Sequence, residues 1–112
     1  MQDKSRKLIS DVVDAASFIM EQTRAASSES YAANRLLRQA VERNFEIIGE
    51  AINSLRRSDP EVAARITDTD RIVAFRNVLS HGYSLVDNAH VWNVIVEALP
   101  TLHAEAQDLL NY

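Results

Sequence analysis

The chain has 112 residues, no cysteine and a formal net charge of −4. That length fits one domain around one core, the absence of thiols excludes disulfides and thiolate-held metals, and the acidic balance argues against a general polyanion binder. The N-terminal stretch MQDKSRKLISDVVDAASFIM begins basic, but Asp11 and Asp14 interrupt its apolar residues before a signal-peptide core or membrane span can form, so the expected location is the cytoplasm.

With two Gly, two Pro and no stretch alternating apolar and polar residues, the chain reads as all-α. A first helix is expected over residues 4–25, where Leu8, Ile9, Val12, Val13, Ala16, Ile19 and Met20 recur at steps of three and four. The ASSES stretch closes it and offers caps for a second helix, expected from about Tyr31 to Arg57. Leu37, Val41, Ile48, Ile52 and Leu55 form its stripe, widened by Leu36, Ala40, Ile47 and Ala51, and so broad a face predicts a central helix.

Asp59 followed by Pro60 predicts an N-cap and first position for a short connecting helix. Thr67, Asp68 and Thr69 can cap a third long helix from about Asp70 to Ser80, with Gly82 as its end. Asp87 can cap a last helix that Pro100 should kink or split before it resumes towards Leu110.

Charge is unevenly spread. All twelve basic residues lie at or before Arg76, matched there by twelve acids, while residues 77–112 hold four acids and no Lys or Arg. Any anion site must therefore be local and built mainly from Arg, whose fork suits phosphate. The stretch RNVLSHGY, residues 76–83, lies in a segment from Arg71 to Val86 that contains no carboxylate. On a helical wheel Ile72, Phe75, Val78 and Leu79 share a packing side, with Arg76, Asn77, Ser80 and His81 opposite and Arg76 and His81 about 140° apart.

These side chains permit one kind of chemistry without a cofactor. His81 can take or deliver a proton in attack by a ribose 2′-hydroxyl on the adjacent phosphate, because imidazole titrates near neutral pH. Arg76 can neutralise charge building on the non-bridging oxygens, and Asn77 can orient the imidazole or the phosphate. One His and no acid in the segment give no support for a metal site. Spacing alone also fits an ordinary polar helix edge.

RNVLSHGY, with FEIIGEAI upstream and VWNVIVEALPTL downstream, resembles the HepT-like branch of the HEPN superfamily over nearly the whole length. The resemblance implies an up-and-down bundle of four to five helices over residues 1–112 that homodimerises. It further implies a metal-independent RNA endonuclease toxin with an Arg-x4-His signature, here Arg76 and His81 with Asn77 beside them. It implies silencing by a minimal nucleotidyltransferase antitoxin, MntA, which transfers AMP from ATP to the motif tyrosine, here Tyr83. Two copies of the motif along one cleft would let Arg76 and His81 of different chains surround a phosphate that one helix grips poorly.

Glu50, at the edge of the broad apolar face, is a candidate for holding Arg76 or contacting the nucleotidyltransferase, though a structural ion pair is the plainer expectation. Ser80 is a second supporting candidate. His90 and His103 are expected in packing or surface roles, and Trp92 in the core or a dimer interface. Tyr31 and Tyr112 lack an Arg and His beside them and are poor modification sites. Arg35, Arg38, Arg56 and Arg57 read as solvated charges before they read as an RNA track. Two rival readings remain at this stage: a non-catalytic helical dimer that binds and regulates a nucleotidyltransferase, and a purely structural dimer.

Overall fold

The computed structural model of the chain describes residues 1–82 and 86–111, and every regular element among them is helical. Helix α1, Asp3–Thr23, buries Ile9, Val12, Val13, Ala16 and Ile19, the stripe expected from their spacing. Ser27 then caps the short helix α2, Ser28–Ala33, through a capping box: its hydroxyl accepts from the Ser30 amide at 3.1 Å, and the Ser30 hydroxyl accepts from the Ser27 amide at 2.8 Å.

The second helix does not run unbroken from Tyr31. Asn34 is extended, with φ −109° and ψ 93°, and its side-chain oxygen accepts from the Leu37 amide at 3.0 Å, so that α3 starts afresh at Arg35–Ser58. An Asn that offers its own oxygen to the backbone competes with the helix it interrupts. The break places Tyr31 on α2, where it is fully buried and its ring lies 5.7 Å from that of half-buried Trp92. It also leaves Leu36 in the first turn of α3 at 80% exposure, outside the stripe expected to include it.

Helix α3 is central, touching α1, α2, α5 and the short helix α4, Pro60–Ala63. Its 24 residues make it about 36 Å long, most of the molecule's longest dimension of 41 Å. Val41, Phe45, Ile48, Ile52 and Leu55 are buried along it. Asp59 caps α4 as expected, accepting from the Val62 amide at 3.4 Å. Its other oxygen accepts from the hydroxyl of buried Ser5 at 2.6 Å, which ties the start of α1 to the corner between α3 and α4.

Helix α5, Thr69–His81, ends at Gly82 as the sequence predicts, but its start is not capped by a local side chain. Asp68 occupies the cap position with φ 58° and makes no capping bond. Thr67 instead donates both its amide and its hydroxyl to Glu105, at 3.0 and 2.8 Å, pinning the approach to α5 onto the last helix.

Asp87 caps α6, Asn88–Asn93, accepting from the Ala89 amide at 2.9 Å. A π-helical turn, Val94–Ala98, follows, and α7 spans Leu99–Leu110. Pro100 thus splits the helix in a definite way. The Leu99 amide closes the π turn by reaching back five residues to the Val94 carbonyl, and Pro100, which has no amide hydrogen, follows directly where that wide turn changes the register. Helix α7 packs on α1, where Ser17 and His103 Nε2 share a hydrogen bond of 2.9 Å. Among the described residues no helix is long and apolar enough to cross a membrane.

The Tyr31 hydroxyl is buried with no partner among the described residues, and burial pushes its ionisation well above the usual phenol range, with Glu42 adding to the effect and Arg38 opposing it. A buried hydroxyl without a partner is unfavourable, and removing it leaves nothing else unpaired. Tyr31→Phe is therefore expected to stabilise the fold by about 1 kcal/mol, read as an upward shift of a few degrees in thermal melting. A lower melting temperature would mean that the hydroxyl has a partner.

Candidate functional site

Helices α3 and α5 lie antiparallel, and three contacts fix their register. Arg56 pairs with Asp70 at 2.7 Å at one end, Gly49 meets Arg76 in the middle, and the Ser80 hydroxyl donates to Glu46 Oε2 at 3.1 Å towards the other end. The middle contact is tight. A Cβ on Gly49 would lie 2.2 Å from Arg76 Cβ and 2.6 Å from its Cγ, far inside van der Waals contact, so only glycine lets the arginine stem cross α3 there. Glycine inside a helix costs about 1 kcal/mol relative to alanine, and here that cost accompanies a close approach no other residue permits.

The guanidinium is oriented by its neighbours. Arg76 Nη1 donates to Asn77 Oδ1 at 3.1 Å, and Nη2 donates to Glu50 Oε1 at 3.4 Å. Nε is buried in the seam without a partner among the described residues, while the side chain as a whole keeps 29% exposure. Glu50 also pairs with Arg43 at 3.7 Å, and Arg43 reaches Glu46 at 3.8 Å. The charge that Arg76 presents is thus held from two sides, with donor capacity left for an anion.

This arrangement corrects the helical wheel. Arg76 and Ser80 do not oppose the packing side; they belong to it, because Gly49, Glu50 and Glu46 make the facing surface of α3 partly open and polar. Leu79 is buried and Ile72 and Phe75 are half-buried as expected, but Val78 is 48% exposed and lies towards solvent. His81 and Asn77 are exposed, and no hydrogen bond or ion pair to the described residues holds the His81 ring. Arg76 and His81 sit about 140° apart around α5, so their stems leave the helix on different sides. Tyr83 lies outside the described residues, as does Tyr112.

Glu42, Glu46 and Glu50 recur every four residues along one edge of α3. Glu42 is held above the ordinary carboxyl range chiefly by burial, with Arg38 opposing and Glu46 reinforcing the shift. A raised pKa in a folded carboxyl means that stability is fully present below the unfolded value and is lost as pH rises through the raised one. Burial thus disfavours the charged form of Glu42, while Arg38, Arg43 and Arg76 set positive charge against this edge of carboxylates. Of the other arginines, Arg38 donates to the Ala32 carbonyl, Arg56 is paired with Asp70, and Arg35 and Arg57 are exposed. His90 packs edge-on against Phe75 at 5.6 Å, a surface and packing role as expected. Among the described residues no three His, Asp or Glu side chains gather where they could share a metal ion.

A family model described as ribonuclease HepT-like matches residues 12–109, from the middle of α1 almost to the end of α7. The chain belongs to the HepT-like family. It is 30% identical to a candidate RNase of Methanocaldococcus jannaschii over 87% of this chain and 88% of that one. It is 26% identical to a candidate RNase of Caldanaerobacter subterraneus over 95% of this chain and 94% of the relative. Likeness to the candidate ribonuclease HepT of Thermococcus cleftensis is 29%, covering 97% of this chain and 98% of that protein. No solved structure gives a significant match.

In this HepT-like chain the sequence reading missed Gly49 and Glu46. The signal was present for the first: a lone glycine in the middle of a long helix with a broad apolar face marks a close approach more often than a flexible point. Glu46 gave none, since its value depends on Ser80 reaching it from another helix.

Proposed function

We propose that this HEPN-type ribonuclease cleaves RNA without a metal ion, through Arg76, Asn77 and His81 of two copies of the chain. The carrying observation is the state of Arg76: its stem is fixed in the notch at Gly49 and its fork is oriented by Glu50 and Asn77, while His81 stands exposed on the same helix. A second chain supplies what one lacks. Val78 exposes apolar surface between the turns that carry Arg76 and His81, a reason to expect the solvent face of α5 in the pairing.

In the reaction, one imidazole takes the proton of a ribose 2′-hydroxyl as its oxygen attacks the adjacent phosphorus. The bond from phosphorus to the 5′ oxygen of the next nucleotide breaks, and that oxygen leaves with a proton from the second imidazole. The products are a 2′,3′-cyclic phosphate and a 5′-hydroxyl. Arg76 meets the charge that gathers on the non-bridging oxygens, and Asn77 keeps the guanidinium turned towards them.

The same reading makes the chain the toxin of a pair whose antitoxin is a minimal nucleotidyltransferase that places AMP on Tyr83. Tyr83 stands two residues after His81 in sequence, so a bulky phosphodiester there would compete with RNA phosphate near the imidazole. The rival reading, a non-catalytic partner of the nucleotidyltransferase, draws on the carboxylate edge beside Arg76, which suits a protein partner better than RNA.

Purified protein is expected to cut RNA in EDTA and to leave cyclic phosphate ends, and induced expression without the nucleotidyltransferase is expected to arrest growth. Incubation with that enzyme and ATP should add the mass of AMP to Tyr83 and stop cleavage. Intact RNA in EDTA, together with normal growth, would leave the partner-protein reading in place of this one.

A further inference from the structure

We infer that Gly49 and Glu50 are positioning residues for Arg76, a notch and a clasp that set where its guanidinium meets substrate. The inference rests on the RNA-cleavage reading of the site and assigns it two residues outside the Arg-x4-His motif. Three observations carry it. Arg76 Cβ and Cγ occupy the place where any side chain on residue 49 would begin. Glu50, the next residue, reaches across the same seam to Nη2 at 3.4 Å and is itself steadied by Arg43 at 3.7 Å. Nε is buried in the seam, so the inner edge of the guanidinium faces α3 and only the outer part of the fork is available to a ligand.

Each component does a separate task. The notch fixes depth, because the arginine stem cannot settle into the seam if α3 carries a side chain at position 49. The clasp fixes rotation, because a carboxylate on Nη2 and the Asn77 oxygen on Nη1 together select one orientation of a planar fork. Glu50 is 46% exposed and its bond to Arg76 is long, so its part is orientation more than stability. An internal carboxylate can also act oppositely, by competing with RNA phosphate for the same guanidinium. The two roles predict opposite signs when the charge is removed.

The test measures RNA cleavage in EDTA and thermal melting for Gly49→Ala, Glu50→Gln, Arg76→Gly and the double variant Gly49→Ala/Arg76→Gly. Gly49→Ala is expected to lower kcat by about 100-fold, the effect of misplacing a reacting group by around an ångström, and to lower the melting temperature. Adding Arg76→Gly empties the space opposite residue 49. The double variant should regain the melting temperature lost by Gly49→Ala, yet cleave only as slowly as Arg76→Gly alone. Glu50→Gln should keep the melting temperature and lose kcat by on the order of tenfold, equal to one charged hydrogen bond's worth of orientation.

Wild-type kcat in Gly49→Ala, wild-type or higher kcat in Glu50→Gln, or a double variant slower than Arg76→Gly would each overturn the inference. If Gly49→Ala does not fold, the double variant and Glu50→Gln decide it alone. If Arg76→Gly itself cleaves as well as the wild type, the cleavage reading fails and the inference with it. Impairment in Arg76→Gly with none in Glu50→Gln removes the positioning role only.

Discussion

His81→Ala is expected to lower the rate of RNA cleavage in EDTA by about 10³-fold, within the range that a positioned acid or base contributes. The side chain is exposed at the last turn of α5 and is held by none of the described residues, so little of the fold depends on it. Truncation at such a position changes stability by about 0.5 kcal/mol or less, with a further small loss from removing a basic group at a helix C-terminus. Cleavage and folding should therefore separate cleanly: circular dichroism and melting as in the wild type, with RNA left intact over the period in which the wild type consumes it. If, as proposed, one imidazole comes from each of two chains, a mixed dimer holding one His81→Ala chain should also be slow. Wild-type cleavage by His81→Ala would remove the acid and base from the mechanism.

How far the sequence carries towards this site can be judged residue by residue. Signals that act within one helix were legible. Asp59 with Pro60, Asp87 and Gly82 mark real helix ends, because each satisfies or omits backbone groups locally. Pro100 marks a real discontinuity for the same reason, although the π turn that accommodates it was not foreseeable. Asn34 gives no such signal, since a lone Asn in an amphipathic stretch looks the same whether its side chain points to solvent or caps the next helix.

The error on α5 has a different origin. A wheel assigns the packing side from apolar residues, and including Val78 with Ile72, Phe75 and Leu79 drew that side away from Arg76. The partner surface on α3 is apolar at Phe45, whose ring meets that of Phe75 at 5.1 Å, but it is a bare backbone at Gly49 and acidic at Glu46 and Glu50. A polar pair such as Arg76 and Ser80 can pack only against such a surface. Its existence depends on the antiparallel register of two helices far apart in sequence, which no local pattern states. The residue types of the motif could be read from the sequence, and the placement of its side chains could not.

That geometry decides the second large expectation. Arg76→Ala should lower kcat by about 10²- to 10³-fold, as loss of a donor aimed at developing oxyanion charge does elsewhere. It should also lower the melting temperature, since the arginine stem fills the seam at Gly49. Arg76→Lys separates the two effects. Lysine keeps most of the stem and the full positive charge, so melting should return close to the wild-type value. It presents one ammonium instead of a planar fork, and so cannot satisfy Glu50 and Asn77 from two nitrogens while offering a third face to phosphate. Cleavage by Arg76→Lys should therefore remain well below the wild type although the charge is unchanged. If the lysine variant cleaves at the wild-type rate, positive charge alone suffices at this position, and the orientation imposed by Glu50 and Asn77 has no part in the chemistry.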